Sequence, residues 1–236
     1  MTEDEMLSLI LYRDAMMLVL NKPAGIAVHR GPKAAFGTHE ALEPHFDSLK
    51  FGLPRAPALA HRLDRDTSGC LVLGRHRKAL VDLFHLFRTG AVQKTYLAVV
   101  EGRPEQHEGL IDLALKKRDA QRGWWMKVDP EGQPSQTRFQ CLGSHEGFSL
   151  MALHPLTGRT HQLRVHMAAM DWPILGDPVY GKAPRQGGPG LHLHAASITI
   201  PFYKNKPPLV VNAPVPDSMA QTIETMGLSD RLTEFV

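Results

Sequence analysis

Cysteine is scarce: Cys70 and Cys141 are the only two in 236 residues. Two thiols cannot build a disulfide framework or a cysteine-rich zinc site, so reduced, buried thiols in a cytoplasmic protein are expected. Long apolar runs are missing too; none approaches the roughly 20 residues that a membrane span needs. The opening Met-Thr-Glu-Asp-Glu is acidic where a secretory signal would be basic. Neither a G-x-x-x-x-G-K-[ST] phosphate loop nor a G-x-G-x-x-G dinucleotide fingerprint occurs, so nothing points to nucleotide energy or redox chemistry. No internal repeat, low-complexity tract or interdomain linker interrupts the chain. Histidine is plentiful but badly spaced for metal. His192 and His194 lack a third ligand, and His161 and His166 are five apart rather than the four of a zinc-binding H-E-x-x-H helix.

What is present is the composition of a globular chain, 43% hydrophobic and 22% charged. The length suffices for one large domain with a sizeable core. The net charge is only +3, but it is unevenly spread. Residues 1–49 hold four Lys/Arg and seven Asp/Glu, whereas residues 50–95 hold nine Lys/Arg and three Asp. Such a basic stretch suits a polyanion, and it equally suits a solvated helix face.

Apolar periodicity predicts strands at residues 9–12 and 17–20 around a turn at Arg13-Asp14, and further strands at 71–73, 96–100, 110–115, 137–142, 148–153 and 192–200. Leu80, Leu83, Phe84 and Phe87 mark a helix over 77–88, stopped by Thr89-Gly90. A second helix is expected over 159–170, with Leu163, His166, Met167 and Met170 on one stripe. Residues 26–59 read as irregular, with prolines at 32, 44, 54 and 57 and one short helix. Residues 116–134, with Trp124-Trp125, read as a hairpin arm or mobile loop. Strands outnumber helices and come in runs, which argues for an α+β fold with a mixed, largely antiparallel central sheet and flanking helices and loops.

The chemistry concentrates in His61-Arg62-Leu63-Asp64-Arg65-Asp66-Thr67-Ser68-Gly69. Asp64 has an arginine on either side in sequence, and nearby cations favour a carboxylate's charged form. An ionised Asp shielded from water is a competent nucleophile or base. An ordinary Asp-containing turn with surface arginines fits the same residues. A second polar cluster, Arg159, His161, Gln162 and Arg164, gathers at an expected helix N-terminus, a place that attracts anions. Arg164 is suited to a two-pronged hold on a buried carboxylate. Tyr96, within Gln93-Lys94-Thr95-Tyr96, has half-buried packing as its default role.

Together these segments resemble the RluA family of RNA pseudouridine synthases. Its signature H-R-L-D-x-x-T-S-G is matched over residues 61–69, its G-R-T/S-H-Q-L/I-R element over 158–164, its K-x-Y at Lys94 and Tyr96, and its N-K-P-x-G opening over 21–25. Pro173-Ile174-Leu175-Gly176-Asp177 and Leu193-His194-Ala195 also fit. The resemblance covers roughly residues 9–213 and implies a single catalytic domain without a preceding S4-type RNA-binding module. It is similar to the short branch that modifies large-subunit rRNA or tRNA stem-loops.

The resemblance implies isomerisation of uridine to pseudouridine in RNA, with no cofactor, no metal and no obligate protein partner. The target nucleotide would be flipped out of its stack. Asp64 would be the catalytic carboxylate, either attacking the sugar or removing a sugar proton. Arg164 would pair with it and hold it ionised. Tyr96 would stack on the flipped uracil and assist proton removal from C5, with Leu193 as the opposite wall. Arg62 would fill the gap left by the base, and His61, Arg65, Arg159, His161 and Gln162 would lie near the RNA backbone. Two other classes use the same residues: a metal-dependent phosphodiesterase built on Asp64 and Asp66, and an RNA-binding module without catalysis. Neighbouring arginines compete with a metal for the carboxylates, and pure binding has no use for a buried carboxylate beside a polyanion. RNA affinity should therefore fall steeply with salt, because the 50–95 stretch neutralises several phosphates. A flat plot of log affinity against log salt concentration would contradict it.

Overall fold

A computed structural model describes residues 1–29, 41–118 and 125–233. Pro32 of the irregular stretch and Trp124 of the long loop lie outside them. In chain order the elements are α1 (Glu3–Ser8), β1 (Ile10–Arg13), β2 (Met17–Lys22), β3 (Ala58–Leu59), β4 (Ser68–Gly74), α2 (Arg77–Arg88), β5 (Gln93–Glu101) and β6 (Glu108–Asp112). They continue as β7 (Leu115–Lys117), β8 (Met126–Val128), β9 (Gln136–His145), β10 (Phe148–Pro155), α3 (Gln162–Ala169), β11 (Leu193–Ile200), β12 (Leu209–Asn212) and α4 (Asp217–Thr225). A 3-10 helix, Glu43–Leu49, interrupts the irregular stretch. This is the α+β, largely antiparallel architecture expected from the order of strands. Among the described residues no helix is long and apolar enough to cross a membrane.

The chain divides into two compact units: residues 1–93 with 195–214, and residues 94–194 with 215–236. In the first, β1 and β2 form the expected hairpin, and β2 pairs antiparallel with β4 from Met17–Gly74 to Lys22–Gly69. The hairpin turn is built by Asp14, whose Oδ1 accepts the N–H groups of Met16 and Met17 at 2.7 and 2.8 Å. Its Oδ2 accepts the hydroxyls of Tyr12 and Tyr203 at 2.8 and 2.5 Å. Alternate residues Met17 and Val19, Cys70 and Val72, Ile198 and Ile200 share one core with Leu83 of α2. The residues between them, Leu18, Leu20, Leu71 and Leu73, are fully buried as well. That explains why β2 and β4 read as continuous apolar runs.

Helix α2 has the expected boundaries. His76 accepts the Ala79 N–H at its start, and the Thr89 hydroxyl returns to the His85 carbonyl at its end. Its buried line is Ala79 and Leu83, flanked by Leu80, Leu86 and Phe87. Phe84 is 49% exposed, so the apolar stripe sits slightly off the expected one. Cys70 is buried, with its thiol against the Val211 carbonyl at 3.5 Å, and burial pushes its pKa up to about 12.

In the second unit β10 pairs antiparallel with both β5 and β9, and β9 with β6. The expected strand over 110–115 is two pieces, because β6 ends at Asp112 and β7 begins at Leu115. The pair β7–β8 is antiparallel, with Lys116 opposite Lys127, which matches the hairpin-arm alternative of the two expected for residues 116–134. Leu163 and Met167 of α3 join Ala98, Val100, Met151, Leu153 and Leu193 in this unit's core. His166, on the same stripe, is buried with Nδ1 at 2.9 Å from the Thr137 hydroxyl and Nε2 at 3.0 Å from the Leu113 carbonyl. Helix α3 starts at Gln162, three residues later than expected, because His161 has a left-handed backbone (φ 53°, ψ 18°) that cannot continue a helix.

Gly69 is the backbone point on which the first unit is most sensitive. It has φ +105°, and a Cβ there would lie 2.2 Å from the Ala195 carbonyl oxygen. Gly69→Ala should cost about 2–4 kcal/mol, combining backbone strain with overpacking. Urea unfolding measures it, and a midpoint equal to wild type would show that the approach relaxes freely.

Candidate active site

The signature residues run along the loop that joins β3 to β4 and into the first two residues of β4. Its start is fixed by the Ala60 N–H, which donates to the Val72 carbonyl at 3.0 Å. The Val72 N–H donates back to His61 Nε2 at 3.0 Å, and the His61 ring stacks on Phe87 with centroids 4.6 Å apart. His61 is thus held as part of the first unit's frame. The loop closes in a tight turn, the Thr67 N–H donating to the Asp64 carbonyl at 3.2 Å, with Thr67 and Ser68 buried beneath it. Asp64 itself is half-buried, while Arg62 and Arg65 are exposed.

Arg65 turns to Asp66, with Nε to Oδ1 at 2.9 Å and Nη2 to Oδ2 at 3.0 Å. This two-pronged contact occupies the second carboxylate of the metal-binding pair that the alternative hydrolase reading requires. Among the described residues no group of three or more His, Cys, Asp or Glu is placed to hold a metal ion. His192 is engaged by the Gly190 carbonyl (2.7 Å) and the Thr222 hydroxyl (2.9 Å).

Beneath the loop lies Lys22, the lysine of Asn21-Lys22-Pro23, which is fully buried. Its ammonium donates to the carbonyls of Pro23 (2.7 Å), Ile26 (2.7 Å) and Arg65 (2.8 Å), using all three protons. Burial pulls its pKa down to about 7; the charges of Asp66 and Asp64 work against that pull, and Arg65 works with it. One buried cation therefore ties the end of β2 to the loop that carries Asp64.

The remaining candidates belong to the second unit. Tyr96 is half-buried on β5, opposite Leu153, and packs on the core that includes Leu163 and Leu193. Lys94 lies two residues before it on the same strand, and burial lowers its pKa. Arg159 is exposed and donates from Nε to the Pro134 carbonyl at 3.2 Å. Gln162 is buried and fully engaged. Its amide nitrogen donates to the Gln136 carbonyl and Thr137 hydroxyl (2.9 and 3.0 Å), and its oxygen accepts the Thr157 hydroxyl and Arg159 N–H (2.7 and 3.0 Å). All four of its hydrogen-bonding positions are used inside the protein, so it serves as a strut for the 157–162 segment.

Arg164 is 4% exposed, and its guanidinium grips Asp177 with Nε to Oδ2 and Nη2 to Oδ1, both 2.8 Å. Asp177 Oδ1 also accepts the N–H groups of Val179 and Tyr180 at 2.8 and 3.0 Å. Burial alone would raise the Asp177 pKa; the Arg164 hydrogen bonds and charge, with the two backbone donors, hold it below the ordinary carboxylate range. Sequence reasoning missed Asp177 as a partner, although it stands in the Gly176-Asp177 step that fits the family. It also missed Lys22 as more than a strand stop.

A family model described as RNA pseudouridylate synthase matches residues 16–169. The chain belongs to this family. Members of the RNA pseudouridylate synthase family isomerise uridine in RNA to pseudouridine, and this chain is an isomerase of that class. It is 42% identical to an uncharacterized RNA pseudouridine synthase of Zymomonas mobilis, over 88% of this chain and 93% of that one. It is 40% identical to ribosomal large subunit pseudouridine synthase C of Haemophilus ducreyi and 36% to that of Vibrio vulnificus. Those alignments cover 87% and 95% of this chain, and 65% and 71% of the relatives. Among solved structures, human RNA pseudouridylate synthase domain containing 4 superposes with a TM-score of 0.77 at 26% identity, covering 95% of each chain.

The Arg164–Asp177 pair gives this pseudouridine synthase a measurable acid limb. Asp177 has a depressed folded-state pKa, so its stabilising share is present above about pH 4 and is lost as pH falls through the folded value. Asp177→Asn should cost about 3–5 kcal/mol at neutral pH by removing the two-pronged counter-charge from a buried guanidinium. Stability measured against pH should show that this share of the acid-side decline is absent in the variant.

Proposed function

We propose that this synthase isomerises a specific uridine in structured large-subunit ribosomal RNA, with Asp64 as the catalytic carboxylate. The observation that carries the reading is the complete H-R-L-D-x-x-T-S-G signature, with Asp64 on a tight turn backed by the buried Lys22 ammonium. The choice of RNA follows the printed names of the synthase C relatives, which are ribosomal large subunit enzymes. Residues 1–236 act as one catalytic domain, with its core at about residues 9–213.

The target C5 and C1′ atoms are inaccessible in a stacked duplex, so the nucleotide flips out. The N1–C1′ bond breaks, the uracil turns, and a C5–C1′ bond forms; the C5 proton leaves and N1 gains one. No atom is gained or lost by the RNA. Asp64 acts at the sugar, either by attack or by proton removal. Arg164 keeps it ionised, and Tyr96 takes the flipped uracil against its ring, with Leu193 as the facing apolar wall. Arg62 occupies the vacated stack, while His61, Arg65, Arg159 and His161 lie along the RNA backbone. Gln162, with its amide satisfied internally, contributes by fixing the segment that presents Arg159 and His161.

Asp64→Asn should abolish tritium release from C5-labelled uridine while leaving RNA affinity within about tenfold, since a lost negative charge does not weaken binding to a polyanion. Substantial turnover by this variant would falsify the assignment. Pseudouridine mapping in cells with and without the protein decides the RNA: loss of a large-subunit site supports the proposal, and loss confined to a tRNA overturns it.

A further inference from the structure

Tyr180 follows Asp177 in a turn outside any helix or strand, and its hydroxyl gathers contacts from distant parts of the second unit. It accepts the Met126 N–H of β8 at 2.9 Å and lies 2.8 Å from His161 Nδ1. The two rings meet edge to face, with centroids 5.6 Å apart. The Arg164 guanidinium lies over the tyrosine ring, 5.2 Å from its centroid, and the Tyr180 N–H donates to the carboxylate that grips Arg164. One residue thus touches the arm, the residue that opens α3, the Arg164 guanidinium and its counter-ion.

Both ends of this contact are unusual. His161 holds a left-handed backbone that a side chain disfavours, and it caps α3 without a side-chain capping bond. A conformation of that kind persists only where its neighbours over-determine it. On the arm, Lys116 and Lys127 are balanced by Glu131 and Asp129 at 3.0 and 2.8 Å. Lys117, Arg118 and Arg185 have no acidic partner among the described residues. The guanidiniums of Arg118 and Arg185 lie over the Trp125 ring, 5.8 and 5.6 Å from its centroid. Cations interleaved with an aromatic ring suit an RNA strand, whose phosphates and bases they engage together.

We propose that Tyr180 is a positioning residue that latches the basic β7–β8 arm to the start of the Arg164 helix, so that RNA bound on the arm and the setting of Arg164 are coupled. This rests on the reading of Arg164 as a residue of the reaction. The hydroxyl is the coupling atom. Removing it leaves the ring over Arg164 and the N–H on Asp177, and cuts the links to Met126 and His161.

Two variants attack the latch from opposite ends. Tyr180→Phe removes the acceptor, and Met126→Pro removes the donor, which points away from the β7 ladder. The probe is transcribed large-subunit ribosomal RNA carrying C5-tritiated uridine. Each variant should slow single-turnover tritium release about tenfold, the worth of one hydrogen bond. Melting temperature and RNA affinity should stay near wild type. The double variant should be no slower than Tyr180→Phe alone, because the bond lost in Met126→Pro is already lost with the hydroxyl. Additive losses, a wild-type rate in Tyr180→Phe, or a rate loss matched by a lost melting temperature would each overturn the proposal. Amide exchange gives a readout independent of turnover: residues 161–165 should exchange faster in Tyr180→Phe, and unchanged exchange there also overturns the latch. Should wild type release no tritium from this RNA, the substrate reading fails, and the exchange result alone decides the latch.

Discussion

The buried ion pair of Arg164 with Asp177 is the interaction on which the second unit turns. A guanidinium inside a protein core is costly unless its charge is matched, and here the match is planar and two-pronged. Asp177 in turn is committed to two backbone N–H groups, so the turn that carries it cannot shift without releasing the arginine. Helix α3 is only eight residues long, and its other face is spent on the Leu163–Met167 core. Its position follows from these two contacts rather than from intrinsic helix stability, which is slight at such a length.

Lys22 does for the first unit what Arg164 does for the second, with a different chemistry. Three carbonyl oxygens surround its ammonium, and among the described residues no carboxylate pairs with it directly, so its protons are spent on shaping the backbone. The result is a loop whose main chain is fixed from beneath while Asp64 stands half-exposed above. A main chain anchored in this way fixes the point from which the Asp64 side chain departs.

Much of this was legible in the sequence. Apolar periodicity located the β1–β2 hairpin, most of the strands and both ends of α2, because these elements bury one or both faces regularly. Helix α1 escaped notice although its signal is local: Thr2 and Glu5 form a reciprocal capping box, and the acidic start was read for charge alone. Helix α4 was missed although Met219, Ile223 and Met226 recur at helical spacing behind Pro216. The late start of α3 was not readable, because nothing in Gly158-Arg159-Thr160-His161 announces that the histidine, not the glycine, adopts the left-handed backbone. The signature motifs marked Asp64, Tyr96 and Arg164, yet the partners Asp177 and Tyr180 lie 13 and 16 residues beyond Arg164, on a turn whose folding back no periodicity reveals. Gln162 looked like a polar donor on a surface and is an internal strut, a distinction that only burial makes.

The two thiols carry a practical consequence. Cys70 is sealed against a carbonyl with its ionisation suppressed, and Cys141 is buried in the other unit's core. Alkylating labels act on exposed thiolates, so the native protein offers them almost nothing. A single cysteine introduced on the outer face of the β7–β8 arm would then be the dominant attachment point for a fluorophore or spin label. The chain comes ready for site-specific spectroscopy without first having its own cysteines removed.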